Sequence, residues 1–177
     1  VIPSSAVSLG CMRICKADKN RIDEIIETAL ECGINQFDHA DIYGEGESER
    51  IFGEYLKTHP SIRDSITIQT KCAIKHRCYD FSKEHIIKSV ESSLKRLNVD
   101  YIDTLLLHRP DTLMEPEEVA EAFEALSASG KVKSFGVSNH NPYQIELLKI
   151  AVSQPIIINQ LQYSLTECGM VTSGLNV

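Results

Sequence analysis

The chain has 177 residues, 42% of them hydrophobic and 24% charged, with 18 Lys and Arg against 25 Asp and Glu and a formal net charge of −7. These are the proportions of a folded unit of about 100–200 residues, which excludes a disordered or fibrous chain. An acidic balance without any Lys/Arg run argues against a nucleic-acid or anionic-membrane partner, and no apolar stretch nears the ~20 residues that span a bilayer.

Strand-like and helix-like segments then alternate along the chain. Residues 7–12 are a short apolar run broken by Gly10. Residues 20–32 predict a helix with Ile22, Ile25, Ile26, Ala29 and Leu30 on one face, Asn20 as its cap and Gly33 as its stop. Residues 34–37 predict a strand, and Ser48 predicts the cap of a helix facing inward through Ile51, Phe52, Tyr55 and Leu56. Residues 65–71 are β-branched and alternating, which predicts a strand. Ser82 opens a helix carrying Ile86, Val90, Leu94 and Leu97, and residues 101–107 form the apolar run of a strand covered on both faces. Pro116 with Glu117 and Glu118 behind it suits a helix N-terminus, and Gly130 stops that helix. Residues 132–137 predict a strand, Asn141-Pro142 a further helix, and residues 156–160 a sixth strand.

This alternation implies parallel strands joined by right-handed crossovers, in either an open doubly wound sheet or a closed barrel. The open sheet wants a phosphate-binding glycine loop. The cluster Gly44-Glu45-Gly46 is followed by Glu47 and Glu49, whose carboxylates repel a pyrophosphate. Strand ends recur about every 31 residues, so eight units need about 250 residues, the usual size of a barrel. The expected class is therefore α/β, a (β/α)8 TIM barrel with about six of its eight units present. It forms one domain over residues 1–177, truncated on its C-terminal side, and residues 173–177 carry no further strand signal. Val1 in place of Met predicts a trimmed N-terminus, and residues 1–5 lack the features of a secretory signal.

Six cysteines, Cys11, Cys15, Cys32, Cys72, Cys78 and Cys168, have spacings poor for zinc, so no metal is expected. A chain of this size needs no disulfide staples, which predicts a reducing, cytoplasmic setting. Cys32 and Cys72 read as small buried hydrophobes.

In a barrel the chemistry gathers at the C-terminal strand ends. Those ends deliver Asp38 with Tyr43 in the loop beyond, then Lys71, His108, Ser138-Asn139 and Asn159-Gln160. A cation beside Tyr43 is expected to lower its phenol pKa. Lys71 can be that cation, with Asp38 holding it oriented. His108 can hydrogen-bond a substrate oxygen or the phenol. The set makes a general acid facing a carbonyl oxygen but no electron source, so it calls for an external hydride donor. His39 and Asp41 point away from Asp38 by alternation and read as packing and loop residues. His76 and Tyr79 can line a substrate pocket. Asn159 either helps bind an amide or turns the chain.

Several stretches resemble the aldo-keto reductase family in order along nearly the whole chain. They are Gly33-Ile-Asn-Gln-Phe-Asp38-His-Ala-Asp-Ile-Tyr43-Gly44 with Ser48-Glu49, Ile68-Gln-Thr-Lys71, Leu105-Leu-Leu-His108-Arg-Pro110, Gly136-Val-Ser-Asn139 and Asn159-Gln160. The resemblance implies a (β/α)8 barrel that binds NADPH and reduces aldehydes or ketones. It implies Tyr43 as the acid, Lys71 and Asp38 as its tuning pair, His108 as the orienting group, and Ser138, Asn139 and Gln160 on the nicotinamide carboxamide. The family's stacking aromatic after strand seven and its phosphate groups after strand eight lie beyond the six strands read here. The implied partner is a small carbonyl substrate, with no nucleic acid and no membrane. Two rival readings stay open: a nucleotide-binding accessory subunit without turnover, such as the ion-channel subunits among the family's relatives, and an inactive barrel fragment.

Overall fold

A computed structural model describes residues 3–172. The expectations for residues 1–2 and 173–177 lie outside that range. Six parallel strands pair in chain order: β1 (Ser8–Gly10), β2 (Gln36–Asp38), β3 (Thr67–Cys72), β4 (Ile102–Leu107), β5 (Val132–Ser138) and β6 (Ile156–Gln160). Between them run α1 (Lys19–Glu31), α2 (Glu47–Thr58), α3 (Lys83–Leu97), α4 (Pro116–Ala128) and α5 (Pro142–Lys149). A short α6 (Gly169–Thr172), unforeseen in the sequence, follows β6.

Three strands separate β2 from β6, and inter-strand steps of about 4.8 Å would put them about 19 Å apart in a flat sheet. Yet Gln160 Nε2 on β6 donates to Asp38 Oδ2 on β2 at 3.1 Å. The sheet therefore curls into a half-barrel, and both side chains point into its hollow.

Side chains alternate between hollow and helices. Outward residues Phe37 and Ile68 pack under Ile22, Ile26, Phe52 and Leu56 of α1 and α2. Leu105, Leu107, Phe135 and Val137 pack under Ile86, Val90, Val119 and Phe123 of α3 and α4. Each such fully buried side chain contributes about 1.5–3 kcal/mol. The hollow is more polar: Gln36, Thr67, Gln69, Thr104 and Ser134 line a space of about 620 Å³ with Ile158. Gly136 lets β4, β5 and β6 pack closely, because a Cβ there would sit 2.6 Å from Leu106 Cδ2 and 2.7 Å from the Ile158 carbonyl oxygen.

Phe135 faces Ile156 and Val137 faces Asn159, so β6 carries one extra residue between these pairs. The bulge reverses the alternation and turns Gln160 into the hollow.

Local details depart from the sequence reading where backbone geometry decides. Asp18, not Asn20, caps α1 by accepting from the Arg21 amide at 3.0 Å. Ser48 lies inside α2, buried, with left-handed Gly46 in the cap position. Ser82 and Asn141 do cap α3 and α5, Asn141 within a capping box with Gln144. Cys72 is buried but Cys32 is exposed. Among the described residues no helix is long and apolar enough to cross a membrane.

Candidate active site

Asp38 ends β2, and Lys71 stands one residue before the end of β3. Parallel pairing of these strands brings the two side chains onto one inner rim. Lys71 is 2% exposed and spends its three donors within the protein. Its Nζ donates to Asp38 Oδ1 at 2.6 Å, to the His39 carbonyl at 2.8 Å and to Tyr43 Oη at 3.3 Å. Burial lowers the Lys71 pKa, and the Asp38 charge opposes that shift.

Tyr43 opens a tight 3-10 turn, Tyr43–Gly46, whose Gly44, Glu45 and Gly46 all have positive φ. Non-glycine backbone in this region stores strain and needs support. Arg96 of α3 gives it: a Cβ on Gly46 (φ +89°) would lie 2.8 Å from Arg96 Cδ. Arg96 is held by Glu49, which is fully buried and lies 2.7 Å from Nη2. Glu49 also accepts from Thr70 Oγ1 at 2.5 Å. Asp41 sits against this carboxylate, and burial with Glu49 repulsion pushes it up to about 7.

The expected lowering of the Tyr43 pKa does not occur. Burial, followed by the negative charge of Asp38, pushes the phenol up to about 12. The chief reason is burial, which disfavours the charged phenolate, and the Asp38 carboxylate adds to it.

His108, just past β4, meets the Tyr43 ring edge-on with centroids 5.9 Å apart. Burial and the charges of Lys71 and Arg109 push it down to about 4, so the imidazole is neutral at pH 7. Its Nδ1 is buried with no hydrogen-bond partner among the described residues.

Ser138, Asn139 and Gln160 form one group at the ends of β5 and β6. Ser138 Oγ donates to the Gln160 carbonyl at 3.0 Å, and Asn139 Nδ2 donates to Ser138 Oγ at 2.9 Å and to the His108 carbonyl at 3.3 Å. Asn139 has φ +61°, which turns the chain away from the strand. Asn159 Nδ2 donates to the His140 carbonyl at 2.7 Å, while its buried Oδ1 has no partner among the described residues.

Two features escaped the sequence reading. Gln69 sits opposite Asp38 in register and donates to Asp38 Oδ1 at 2.6 Å. The Glu49–Arg96 pair behind the Tyr43 turn is the other. As expected, His39 points away from Asp38, and its ring meets Phe52 at a tilt of 54° with centroids 4.7 Å apart. A cavity of about 1010 Å³ is lined by Asp41, His76, Asp80 and His85 but by none of Asp38, Tyr43, Lys71 or His108. His76 thus faces this separate cavity, and Tyr79 is exposed.

A family model described as the aldo/keto reductase family matches residues 6–172. The chain is 46% identical over 160 residues to the uncharacterized oxidoreductase YcsN of Bacillus subtilis, covering 85% of this chain and 53% of that protein. It is 44% identical over 161 residues to a 6-dehydroglucose reductase of Agrobacterium fabrum, covering 84% of this chain and 54% of that one. Among solved structures, the aldo-keto reductase AKR11C1 from Bacillus halodurans, in its holo form, superposes with a TM-score of 0.79 at 32% identity, over 91% of this chain and 54% of that one. The chain thus spans about half the length of the curated relatives it matches.

Proposed function

The chain belongs to the aldo/keto reductase family, and from that premise we propose an NADPH-dependent carbonyl reductase in which Tyr43 is the general acid. The observation that carries this reading is the buried relay from Asp38 through Lys71 Nζ to Tyr43 Oη, at 2.6 and 3.3 Å.

The reduced nicotinamide, when bound, supplies the hydride. The residues present fit its carboxamide. Asn139 and Gln160 carry amide donors and acceptors at the neighbouring ends of β5 and β6. Ser138 braces this group through its bond to the Gln160 carbonyl.

At the substrate, Tyr43 Oη holds its proton at neutral pH, as a phenol of ordinary pKa about 10 also would, and burial raises it further, to about 12. A carbonyl whose carbon gains a hydride passes its π pair to the oxygen and becomes an alkoxide, with a proton affinity near that of hydroxide, pKa about 16. Proton transfer from Tyr43 to that alkoxide is then downhill. A raised phenol therefore still works as the acid, while remaining fully protonated beforehand. Neutral His108 offers one N–H to the same oxygen and fixes its direction. Lys71 holds Tyr43 in place and stabilises phenolate as it forms.

Residues 1–177 are read as part of one barrel domain in a reducing, cytoplasmic setting, acting on a small carbonyl substrate. Deuteride at the nicotinamide C4 position tests the reading. Incubation with a panel of aldehydes is expected to place one deuterium on each product's carbinol carbon. Tight cofactor binding with no label transferred to any aldehyde would refute it in favour of an accessory subunit.

A further inference from the structure

We propose that Gln69 is a positioning residue for the proton-donating group, acting by clamping the Asp38 carboxylate and the Gln160 amide together across the half-barrel. The proposal rests on the functional reading above.

Gln69 lies two residues before Lys71 on β3, so both side chains enter the hollow. It is 4% exposed. Its Nε2 donates to Asp38 Oδ1 at 2.6 Å and also approaches Gln160 Oε1 at 3.4 Å. Gln160 Nε2 returns a bond to Asp38 Oδ2 at 3.1 Å. Together the three side chains close a ring that joins β2, β3 and β6.

Two consequences follow from the chemistry of the groups. Asp38 Oδ1 is shared by Lys71 Nζ and Gln69 Nε2, both at 2.6 Å, so the carboxylate cannot rotate to offer both oxygens to the ammonium. That fixes Lys71 within reach of Tyr43 Oη. The Gln160 amide, meanwhile, is oriented with its nitrogen toward Asp38 and its oxygen toward Gln69. A residue that orders both partners couples the cofactor-facing edge to the acid without touching substrate. A hydrophobic side chain at position 69 could fill the same space but could not make either bond.

Gln69→Met tests this in the complete protein, since Met keeps the length and removes the donor. The expected result is a kcat lowered about tenfold, with substrate KM and cofactor Kd each within about threefold. In an Asp38→Asn background, Gln69→Met is expected to cost less than twofold more, because its effect passes through Asp38. Gln69→Glu keeps the shape and adds a second carboxyl facing Asp38. Its kcat is expected to rise toward the parental value as pH falls and that carboxyl gains a proton to donate. A Gln69→Met enzyme with parental kcat, full multiplicative loss in the double variant, or an unchanged pH profile for Gln69→Glu would overturn the clamp alone. A parent that reduces no carbonyl with any nicotinamide would overturn the functional reading and the clamp together.

Discussion

Replacing Lys71 by Met strips the ammonium from a pair that is closed to solvent. The Lys71 side chain is 2% exposed and that of Asp38 10%. Removing one partner of such a pair costs about 3–5 kcal/mol, because the remaining charge stays buried. Here Asp38 keeps the Gln69 and Gln160 amide donors at 2.6 and 3.1 Å, which together offset part of that cost. Met also refills most of the stem volume. The expected loss is about 2–4 kcal/mol. Adding Asp38→Asn removes the second charge and leaves an amide cluster that can hydrogen-bond internally. The double variant is then expected to recover at least about 1 kcal/mol of the summed single losses. Urea unfolding reads this directly: at an m-value of about 2 kcal/mol/M the midpoint falls by about 1–2 M for Lys71→Met. A midpoint within about 0.2 M of the parent, or simple addition of the two single losses, would refute the claim that this is a tightly coupled buried pair.

Other expectations concern groups whose charge the fold opposes. His39 is fully buried and pushed down to about 3 by burial, below its unfolded value of about 6.5. The unfolded chain therefore binds the proton first, and stability is lost as pH falls from about 6.5 toward 3, by about 1.4 kcal/mol per pH unit for this group. His39→Leu is expected to flatten the stability–pH curve between pH 4 and 6 by about that slope; an unaltered slope would refute the burial argument. Asp41 has the opposite sign, since its folded pKa of about 7 lies above the unfolded one, so stability falls as pH rises toward 7. Asp41→Asn is expected to stabilise by about 1–3 kcal/mol at pH 8 and by little at pH 4, as read by unfolding at both values. Equal effects at the two would count against it.

The local chemistry of the rim was legible because each barrel unit ends its strand at a predictable place. Asp38, Lys71, His108, Ser138 and Gln160 fall at or beside successive strand ends, which the apolar runs before them mark. Contacts across the hollow were not legible. Gln69 and Gln160 are 91 residues apart and become neighbours only when the sheet curls. The β6 bulge compounds this, since strict alternation from Ile156 would aim Asn159 inward instead. Arg96 was hidden for a related reason, as its role depends on α3 lying against the Tyr43 turn. The direction of the Tyr43 shift was misjudged because a pairwise view counts Lys71 and overlooks both burial and the negative charge of Asp38. Caps show the same limit at short range: Asp18 and Asn20 are both plausible by type, and only the backbone at Asp18 has the extended geometry a cap needs.

Tyr43→Phe bears most directly on the central claim, because it deletes one hydroxyl and leaves the Lys71–Asp38 pair intact. In single-turnover reduction of an aldehyde with saturating NADPH, the hydride-transfer rate is expected to fall by about 10²–10⁴, with cofactor Kd within about threefold of the parent. A rate within about threefold of the parent would place the proton donor elsewhere and contradict the account.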